Sequence, residues 1–243
     1  MITAKLELGL LVSAVIWLTP HSLAGAPQSG EPVFSGNVSR LLGIYESASP
    51  RSGLTPSPAT LESLPLTAAA AKAQSAAVLG PDPKDLCQVL GPFRYMARPD
   101  VKFEILRDPP NKLVVVFENS SWGHLRTVAL DAQHRNDLAK ARPLWNGDSV
   151  ANWNGDTLEV DSIHFTNRTW LNDARVANSK QLHLIEHFRL LAGGKVLEYR
   201  ATAVDPEVLA EPVSYTRYFE RTSKEIQDYD CLAHKPAAAP HNP

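Results

Sequence analysis

Two residues of opposite charge interrupt otherwise apolar strand faces, and they are the first candidates for chemistry. Side chains two residues apart lie on the same face of a strand. In residues 181–190 this alternation places Glu186 among leucine and phenylalanine side chains. In residues 125–131 it places Arg126 on a face that is otherwise formed by valine and leucine. Both charges therefore point inward if the apolar faces do.

A third charge, Glu118, ends the strand face that carries Val114 and Val116. Because a buried charge without a partner is strongly disfavoured, Arg126 is expected to pair with Glu186 or with Glu118. In the structural interpretation, this pair only satisfies two buried charges. In the functional interpretation, the charges line an interior pocket, where loss of hydration raises the pKa of a glutamate enough for general acid or base catalysis.

His183 and His187 flank Glu186 in the pattern His-x-x-Glu-His, which binds zinc in a group of peptidases when it lies on a helix. In a strand, both histidines would instead lie on the face opposite Glu186. Half-exposed strand histidines are the simpler interpretation, and a metal site that uses these residues or His164 is the alternative. We expect no bound metal and no cofactor.

Four of the five tryptophans supply large flat surfaces for packing or for ligand contact. Each is interpreted first as part of the core or of a lid over it. If two of them face a lumen, they favour a flat aromatic or sugar-like ligand. The tryptophans are Trp122, Trp145, Trp153 and Trp170. The candidate ligand-binding residues are Glu118, Trp122, Trp145 and Trp170.

The segment from residue 82 to residue 233 has the texture of short β-strands separated by turns. Asn154-Gly155 and Gly193-Gly194 predict hairpins, because glycine and asparagine accept the positive φ of tight turns, and Asp108-Pro109-Pro110-Asn111 predicts another. Consecutive hairpins favour an antiparallel β-barrel, which has no exposed edges, and a two-sheet sandwich is the alternative. The predicted strands are residues 101–107, 112–118, 125–131, 149–153, 157–163, 181–190, 195–204 and 213–221.

The N-terminal part of the chain has the pattern of a targeting segment followed by a leader. Lys5 precedes an apolar run at residues 8–18, and Ser22-Leu23-Ala24 resembles a signal cleavage site. We expect residues 1–24 to be removed as a signal peptide, with an uncleaved membrane anchor as the alternative. Residues 25–81 are rich in Pro, Ser, Ala and Gly and predict a leader outside the fold, with a short helix at residues 67–77. Residues 234–243 predict a loose tail.

The composition is that of an ordinary globular domain. Hydrophobic residues make up 44% of the 243 residues and charged residues 21%, with a formal net charge of -2. This balance gives no reason to expect a nucleic-acid partner, and no later segment is long and apolar enough to span a membrane. The expected localisation is periplasmic or secreted. There Cys87 and Cys231 are expected to form a disulfide, with two free thiols as the alternative.

Several short motifs lie between Cys87 and Cys231. The longer ones are Trp145-Asn146-Gly147-Asp148-Ser149, Trp153-Asn154-Gly155-Asp156-Thr157-Leu158-Glu159-Val160-Asp161 and Leu182-His183-Leu184-Ile185-Glu186-His187-Phe188. The shorter ones are Phe165, Thr169-Trp170-Leu171, Ser179, Asp205-Pro206, Arg126 with Asp131, and both cysteines. Together they resemble a large, poorly characterised family of exported bacterial proteins that carry a tryptophan, Gly-Asp-Thr-Leu-Val-Val-Asp and a later Leu-His-x-x-Glu-Arg-Phe.

The resemblance covers most of residues 62–233 and implies a lipocalin-like β-barrel, with no settled activity to transfer. It also makes Asp161 a site candidate, although the strand pattern places this residue on a solvent-facing side. The chain departs from the family with Ala132-Gln133-His134 after Asp131, where the family continues Gly-Arg, and with His187 where the family has Arg.

These observations support two hypotheses of function. The first is an exported soluble barrel that binds a small, largely apolar or aromatic molecule in its mouth. The second is a cofactor-independent lyase or isomerase in which Glu186 acts as general acid or base, Arg126 stabilises an oxyanion or carboxylate, and His183 relays a proton; Asp161 is a further catalytic candidate. A structural or interaction module, with its lumen packed by side chains, is a third interpretation.

Overall fold

The structure is a computed structural model. It describes residues 35–58, 61–76, 82, 86–118, 125–134 and 136–227. Among these residues no helix has the length and hydropathy that a bilayer span requires.

Nine strands of the described chain form one closed barrel, in which each strand pairs with the next and the last pairs with the first. This consecutive order is that of an up-and-down barrel, except that β4 and β5 run parallel. The prediction of a mainly-β, antiparallel barrel is confirmed, and the alternative sandwich is wrong. The strands are β1 (Gly43–Ser47), β2 (Lys102–Asp108), β3 (Lys112–Phe117), β4 (Leu125–Leu130), β5 (Asp148–Asn154), β6 (Thr157–Ile163), β7 (His183–Leu191), β8 (Val196–Val204) and β9 (Val213–Thr222).

Three α-helices accompany the barrel in the described part of the chain: α1 (Ser35–Leu41), α2 (Ala68–Ala76) and α3 (Pro92–Ala97). The short helix expected at residues 67–77 is therefore confirmed as α2. Thr67 caps it, because its hydroxyl oxygen accepts a hydrogen bond of 3.1 Å from the Ala70 N–H. Short 3-10 turns lie at Pro50–Ser52, Leu138–Lys140 and Ala192–Gly194.

Aromatic side chains fill the centre of the barrel. The strands alternate between buried and partly exposed residues, as in the pattern of β6, so every second side chain points inward. The rings of Phe103 and Phe219 meet edge to face at 5.0 Å, and the ring of Tyr199 lies 6.2 Å from that of Phe219. Because these rings occupy the interior, a ligand has no open lumen to enter at this level of the barrel.

Strand β1 belongs to the barrel, although the sequence predicted that residues 25–81 lie outside the fold. Tyr45 pairs with Phe103 of β2 on one side and with Arg221 of β9 on the other, so β1 closes the sheet. The side chain of Tyr45 is fully buried and stacks on Phe103 at 5.5 Å. The predicted start of the domain at residue 82 is therefore wrong.

The inward face of β3 also differs from the prediction. Leu113, Val115 and Phe117 are buried, whereas the face with Val114 and Val116 is only partly buried. The register explains the difference, because Phe117 pairs with Phe103 of β2, which points into the core.

Strands β4 and β5 run parallel, unlike all other neighbouring pairs. Only Ala129 and Leu130 of β4 pair with β5, opposite Val150 and Ala151. Among the described residues, the first residues of β4, from Leu125 on, therefore have no ladder partner in β5. Helix α3 packs across the same end of the barrel, since the Tyr215 hydroxyl near the start of β9 donates to the Phe93 carbonyl at 2.6 Å.

Candidate functional site

A buried ion pair joins β4 and β7 across the inside of the barrel. The Nη1 of Arg126 donates to Oε1 of Glu186 at 2.8 Å, and its Nη2 donates to Oε2 in a second, very short contact. The side chains are 2% and 0% exposed. The prediction that Arg126 pairs with Glu186 or Glu118 is thus confirmed for Glu186. Glu118 instead forms an ion pair with Lys102 of β2.

Three hydroxyl groups complete the surroundings of this pair. The Tyr199 hydroxyl donates to Oε1 of Glu186 at 2.8 Å. The hydroxyl oxygens of Ser162 and Ser149 accept from Arg126 at 2.8 and 3.2 Å. Sequence reasoning missed these three residues, although each alternates with apolar residues on the inward face of its strand and the same two-residue pattern was available to find them.

The charge of each partner stabilises the charge of the other. Burial alone would lower the pKa of Arg126, but the adjacent Glu186 carboxylate and its hydrogen bonds raise that pKa above its ordinary value. Burial, together with the negative charge of Glu186, raises the pKa of Tyr199 well above its ordinary value. Arg126 is therefore a cation and Tyr199 a neutral hydrogen-bond donor across the physiological range.

This geometry favours a structural role for Glu186 over a general-base role. A general base must come within hydrogen-bond reach of a substrate proton. The Glu186 carboxylate is fully buried and accepts hydrogen bonds from Arg126 and Tyr199. His183, its expected proton relay, lies on the opposite face of β7 and is partly exposed. The structure therefore does not bring His183 and Glu186 together.

A second polar cluster lies on the outer face of β5, β6 and β7. The Nδ1 of His134 contacts Asp148 at 2.9 Å, and its Nε2 contacts Asp161 at 2.8 Å. The other carboxylate oxygen of Asp161 contacts Nε2 of His183 at 2.7 Å. The cluster thus brings together two of the predicted site residues, Asp161 and His183, with His134 and Asp148, which the sequence did not indicate as partners.

The surroundings of His134 favour the charged form of its imidazole, because both ring nitrogens face carboxylates that only accept hydrogen bonds. Partial burial lowers the pKa of His134, but the hydrogen bonds that it donates to Asp161 and Asp148 outweigh this effect and raise that pKa above its ordinary value of 6.5. Partial burial likewise opposes ionisation of Asp161, yet the two histidines lower its pKa below 3.8. The cluster ties the loop at residues 131–147 to the barrel wall.

The contribution of His134 to stability is expected to depend on pH. Because its pKa is raised on folding, this contribution is complete below its ordinary pKa and is lost as the pH rises through the folded-state value. The lowered pKa of Asp161 adds stability above 3.8, which is lost as the pH falls through its folded-state value. Replacing His134 with Gln should therefore cost up to about 1 kcal/mol near pH 5.5 and less near pH 8.5 in urea unfolding.

The matched control for this prediction is His187→Gln, since His187 is also partly exposed but its Nε2 lies 3.8 Å from the nearest carboxylate, that of Glu159. It should change the free energy of unfolding little at either pH. Equal costs of His134→Gln at the two pH values would show that the charge of His134 does not hold the loop.

A pocket of about 690 Å³ opens beside the first residues of β4. Its walls come from three segments: the start of β4, the end of the loop before β5, and the segment that precedes α3. The Nδ2 of Asn146 donates to the Leu125 carbonyl at 3.1 Å and so bridges the loop to β4. The lining residues are Leu86, Cys87, Gln88, Val89, Leu125, Arg126, Thr127, Leu144, Trp145, Asn146 and Gly147.

Exposed leucines concentrate at this pocket. Among the described residues, four large apolar side chains are strongly exposed, and three of them, Leu86 at 44%, Leu125 at 52% and Leu144 at 40%, line the pocket. The fourth, Leu106, lies on β2 outside it. Large exposed apolar side chains that converge on one concave surface are typical of a binding site.

The structure does not bring the predicted ligand-binding residues together in one site. Trp145 lines the pocket. Trp170 does not line the pocket; the guanidinium carbons of Arg94 and Arg175 lie 5.3 and 5.6 Å from its ring centre. Glu118 is held by Lys102, as described above. Trp122 lies outside the described residues.

A metal site was the alternative interpretation of the histidines. In the part of the chain that the structure describes, no three His, Cys, Asp or Glu side chains are arranged to hold a metal ion. His164 contacts the Ala141 carbonyl at 3.3 Å.

The predicted disulfide can be followed at one of its two cysteines, because Cys87 is described and is buried. Its expected partner, Cys231, lies outside the described residues, so the disulfide stays a prediction.

The comparisons with known proteins do not identify a family for this chain. No family model matches the chain, and no curated protein matches it. The chain is similar to the crystal structure of the wild-type fluorescent protein UnaG, with 13% sequence identity and a TM-score of 0.34. This similarity covers 76% of the present chain and 99% of the other. The strand pairing itself defines the present protein as a closed, mostly antiparallel β-barrel.

Proposed function

We propose that this protein is an exported β-barrel that binds a small, largely apolar molecule in the pocket beside β4. The observation that carries the proposal is the convergence of Leu86, Leu125 and Leu144 on one concave surface. The pocket volume of about 690 Å³ lies within the range of small-molecule sites. A ligand that covers these leucines removes their side chains from water, and each square ångström of apolar surface so buried contributes about 25 cal/mol.

The pocket does not lie in the lumen of the barrel. The centre of the barrel is filled by aromatic rings such as Phe103 and Tyr199. The opening instead lies beside the first residues of β4, for which no described residue of β5 is a ladder partner. This arrangement supports binding at the rim of the barrel, with Trp145 as a flat contact surface for the ligand.

Export and family membership are part of the same proposal. The sequence pattern of Lys5, the apolar run at residues 8–18 and the small-x-small site ending at Ala24 supports removal of a signal peptide. An oxidising compartment would favour the predicted disulfide between Cys87 and Cys231. The motifs of the exported bacterial family support the same location, periplasmic or secreted.

The pocket can be tested with the fluorescent apolar probe N-phenyl-1-naphthylamine. Replacing Leu125 with Asp places a carboxylate in the pocket wall, which a bound apolar molecule would have to desolvate. We expect this change to weaken probe binding about tenfold or more in a fluorescence titration. Leu125 is already half-exposed, so the variant should fold.

The matched control is Leu106→Asp, because Leu106 is a similarly exposed strand leucine that does not line the pocket. It should leave the dissociation constant nearly unchanged. Absence of probe binding to the unaltered protein, or an equal loss of affinity in both variants, would contradict the proposed function.

A further inference from the structure

The charges around the pocket constrain the ligand more closely than its apolar walls do. Among the described lining residues, Arg126 is the one that carries a full charge, and the polar groups beside it, on Gln88, Thr127 and Asn146, are neutral. The chemistry of Arg126 therefore decides which ligand charges the pocket accepts.

The positive charge of Arg126 is already matched. Glu186 contacts both Nη1 and Nη2 of the guanidinium from the interior of the barrel. The guanidinium is also only 2% exposed, so it offers an anionic ligand in the pocket no free cation. Burying a second negative charge there without a cation of its own is costly.

Displacement of Glu186 by the ligand is equally unfavourable. A ligand carboxylate that took over Arg126 would leave Glu186 fully buried, with the Tyr199 hydroxyl as the donor that the described residues still provide. A cationic ligand meets the opposite difficulty, because it would lie beside Arg126, and no described lining residue is a carboxylate. Both signs of charge are therefore disfavoured.

We propose that the ligand of this pocket is an uncharged molecule, because the one charged lining residue, Arg126, is neutralised from inside the barrel by Glu186. This inference rests on the proposed function and specifies its ligand class. It excludes carboxylate, sulfonate and phosphate ligands, including fatty acids in their ionised form, as well as amines that are protonated at neutral pH.

Two probes that share one aromatic frame separate the contribution of charge from that of apolar contact. N-phenyl-1-naphthylamine is neutral, and 8-anilinonaphthalene-1-sulfonate adds one sulfonate to the same frame. Pocket binding is defined as the part of the binding that Leu125→Asp removes and Leu106→Asp retains. We expect the neutral probe to bind the pocket about tenfold or more tightly than the sulfonate.

The outcomes of this comparison are distinct. Equal or tighter pocket binding of the sulfonate would overturn the inference about charge and leave the proposed binding function intact. Pocket binding of neither probe would overturn the proposed function and the inference with it. Tighter pocket binding of the neutral probe supports both.

Two variants test the stated cause. Glu186→Gln leaves the charge of Arg126 unmatched and should raise the affinity for the sulfonate about tenfold. Because this change removes a buried partner, Leu125→Lys serves as a second variant that adds a cation to the half-exposed pocket wall and keeps the ion pair. It should also raise sulfonate affinity relative to the neutral probe. If Leu125→Lys gains no sulfonate affinity, charge does not select the ligand of this pocket. If folded Glu186→Gln gains none while Leu125→Lys does, the pairing of Arg126 with Glu186 is not the cause of the selection.

Discussion

A chain that begins at residue 82 is expected not to fold cooperatively, because it lacks β1. Removing this strand exposes the edges of β2 and β9 and opens the barrel. It also removes the fully buried ring of Tyr45, and loss of a large core side chain alone typically costs about 3–5 kcal/mol. Circular dichroism during urea unfolding should show a broad, low-amplitude transition for this fragment.

The control for the truncation is a chain that begins at residue 35, which keeps both α1 and β1. Its unfolding midpoint should be close to that of the full chain. A fragment starting at residue 82 that unfolds as sharply as this control would show that β1 does not contribute to the stability of the barrel.

Replacing Glu186 with Gln is expected to destabilise the protein by about 3–5 kcal/mol, as for other buried ion pairs that lose one partner. The substitution keeps the size of the side chain, but it leaves the Arg126 guanidinium buried without a counter-ion. It also deprives the Tyr199 hydroxyl of a charged acceptor. The free energy of unfolding from urea titration measures the effect.

A partly exposed ion pair provides the matched control for Glu186→Gln. Glu198 lies 2.8 Å from Arg189 on the outer surface, so Glu198→Gln should cost no more than about 1 kcal/mol. A double-mutant cycle then combines Glu186→Gln with Arg126→Met. The double variant should be more stable than the sum of the single effects implies, because it removes both buried charges. Additivity within about 0.5 kcal/mol would show that the two residues are not coupled.

The sequence predicts the buried ion pair because strand alternation is a local property. In β4 and β7 a single charge interrupts an apolar face, so the inward direction of Arg126 and Glu186 follows from the pattern alone. Their contact additionally requires that the two strands face each other across the barrel. The hairpin turns, such as Asn154-Gly155, predict a closed meander, and in the closed barrel β4 and β7 do face each other.

The face of β3 could not be predicted in the same way. Residues 113–117 are all apolar, and a continuous apolar run fits either orientation of a strand. The pairing of Phe117 with Phe103 decides which side chains point inward, and this information lies in another strand. The assignment of Glu118 to the inner face was therefore wrong because the orientation of β3 depends on its pairing with β2, which the sequence of β3 does not contain.

Strand β1 was missed because its stabilisation comes from its neighbours. It has five residues, and Tyr45 is the fully buried one among them. The surrounding segment is rich in Pro, Ser and Ala, which is the composition of a leader. Only the unpaired edges of β2 and β9 make this short segment a strand.

The outer cluster and the pocket depend on a loop that carries no periodic signal. His134 reaches Asp148 and Asp161 through the path of residues 131–147, which follows from tertiary contacts such as the bridge between Leu144 and Phe165. The pocket likewise results from the partial pairing of β4 with β5. The sequence identified Trp145 as a candidate contact, but it could not place the exposed leucines together.

The central claim is that a neutral apolar molecule binds beside β4, and nuclear magnetic resonance with isotope-labelled protein tests it most directly. During titration with N-phenyl-1-naphthylamine, the largest amide shifts should occur at residues 125–127 and 144–147, which line the pocket. Amides of α2, which lies outside this pocket, should shift little. Largest shifts at α2 or elsewhere outside the lining residues, or no shifts at all, would contradict the claim.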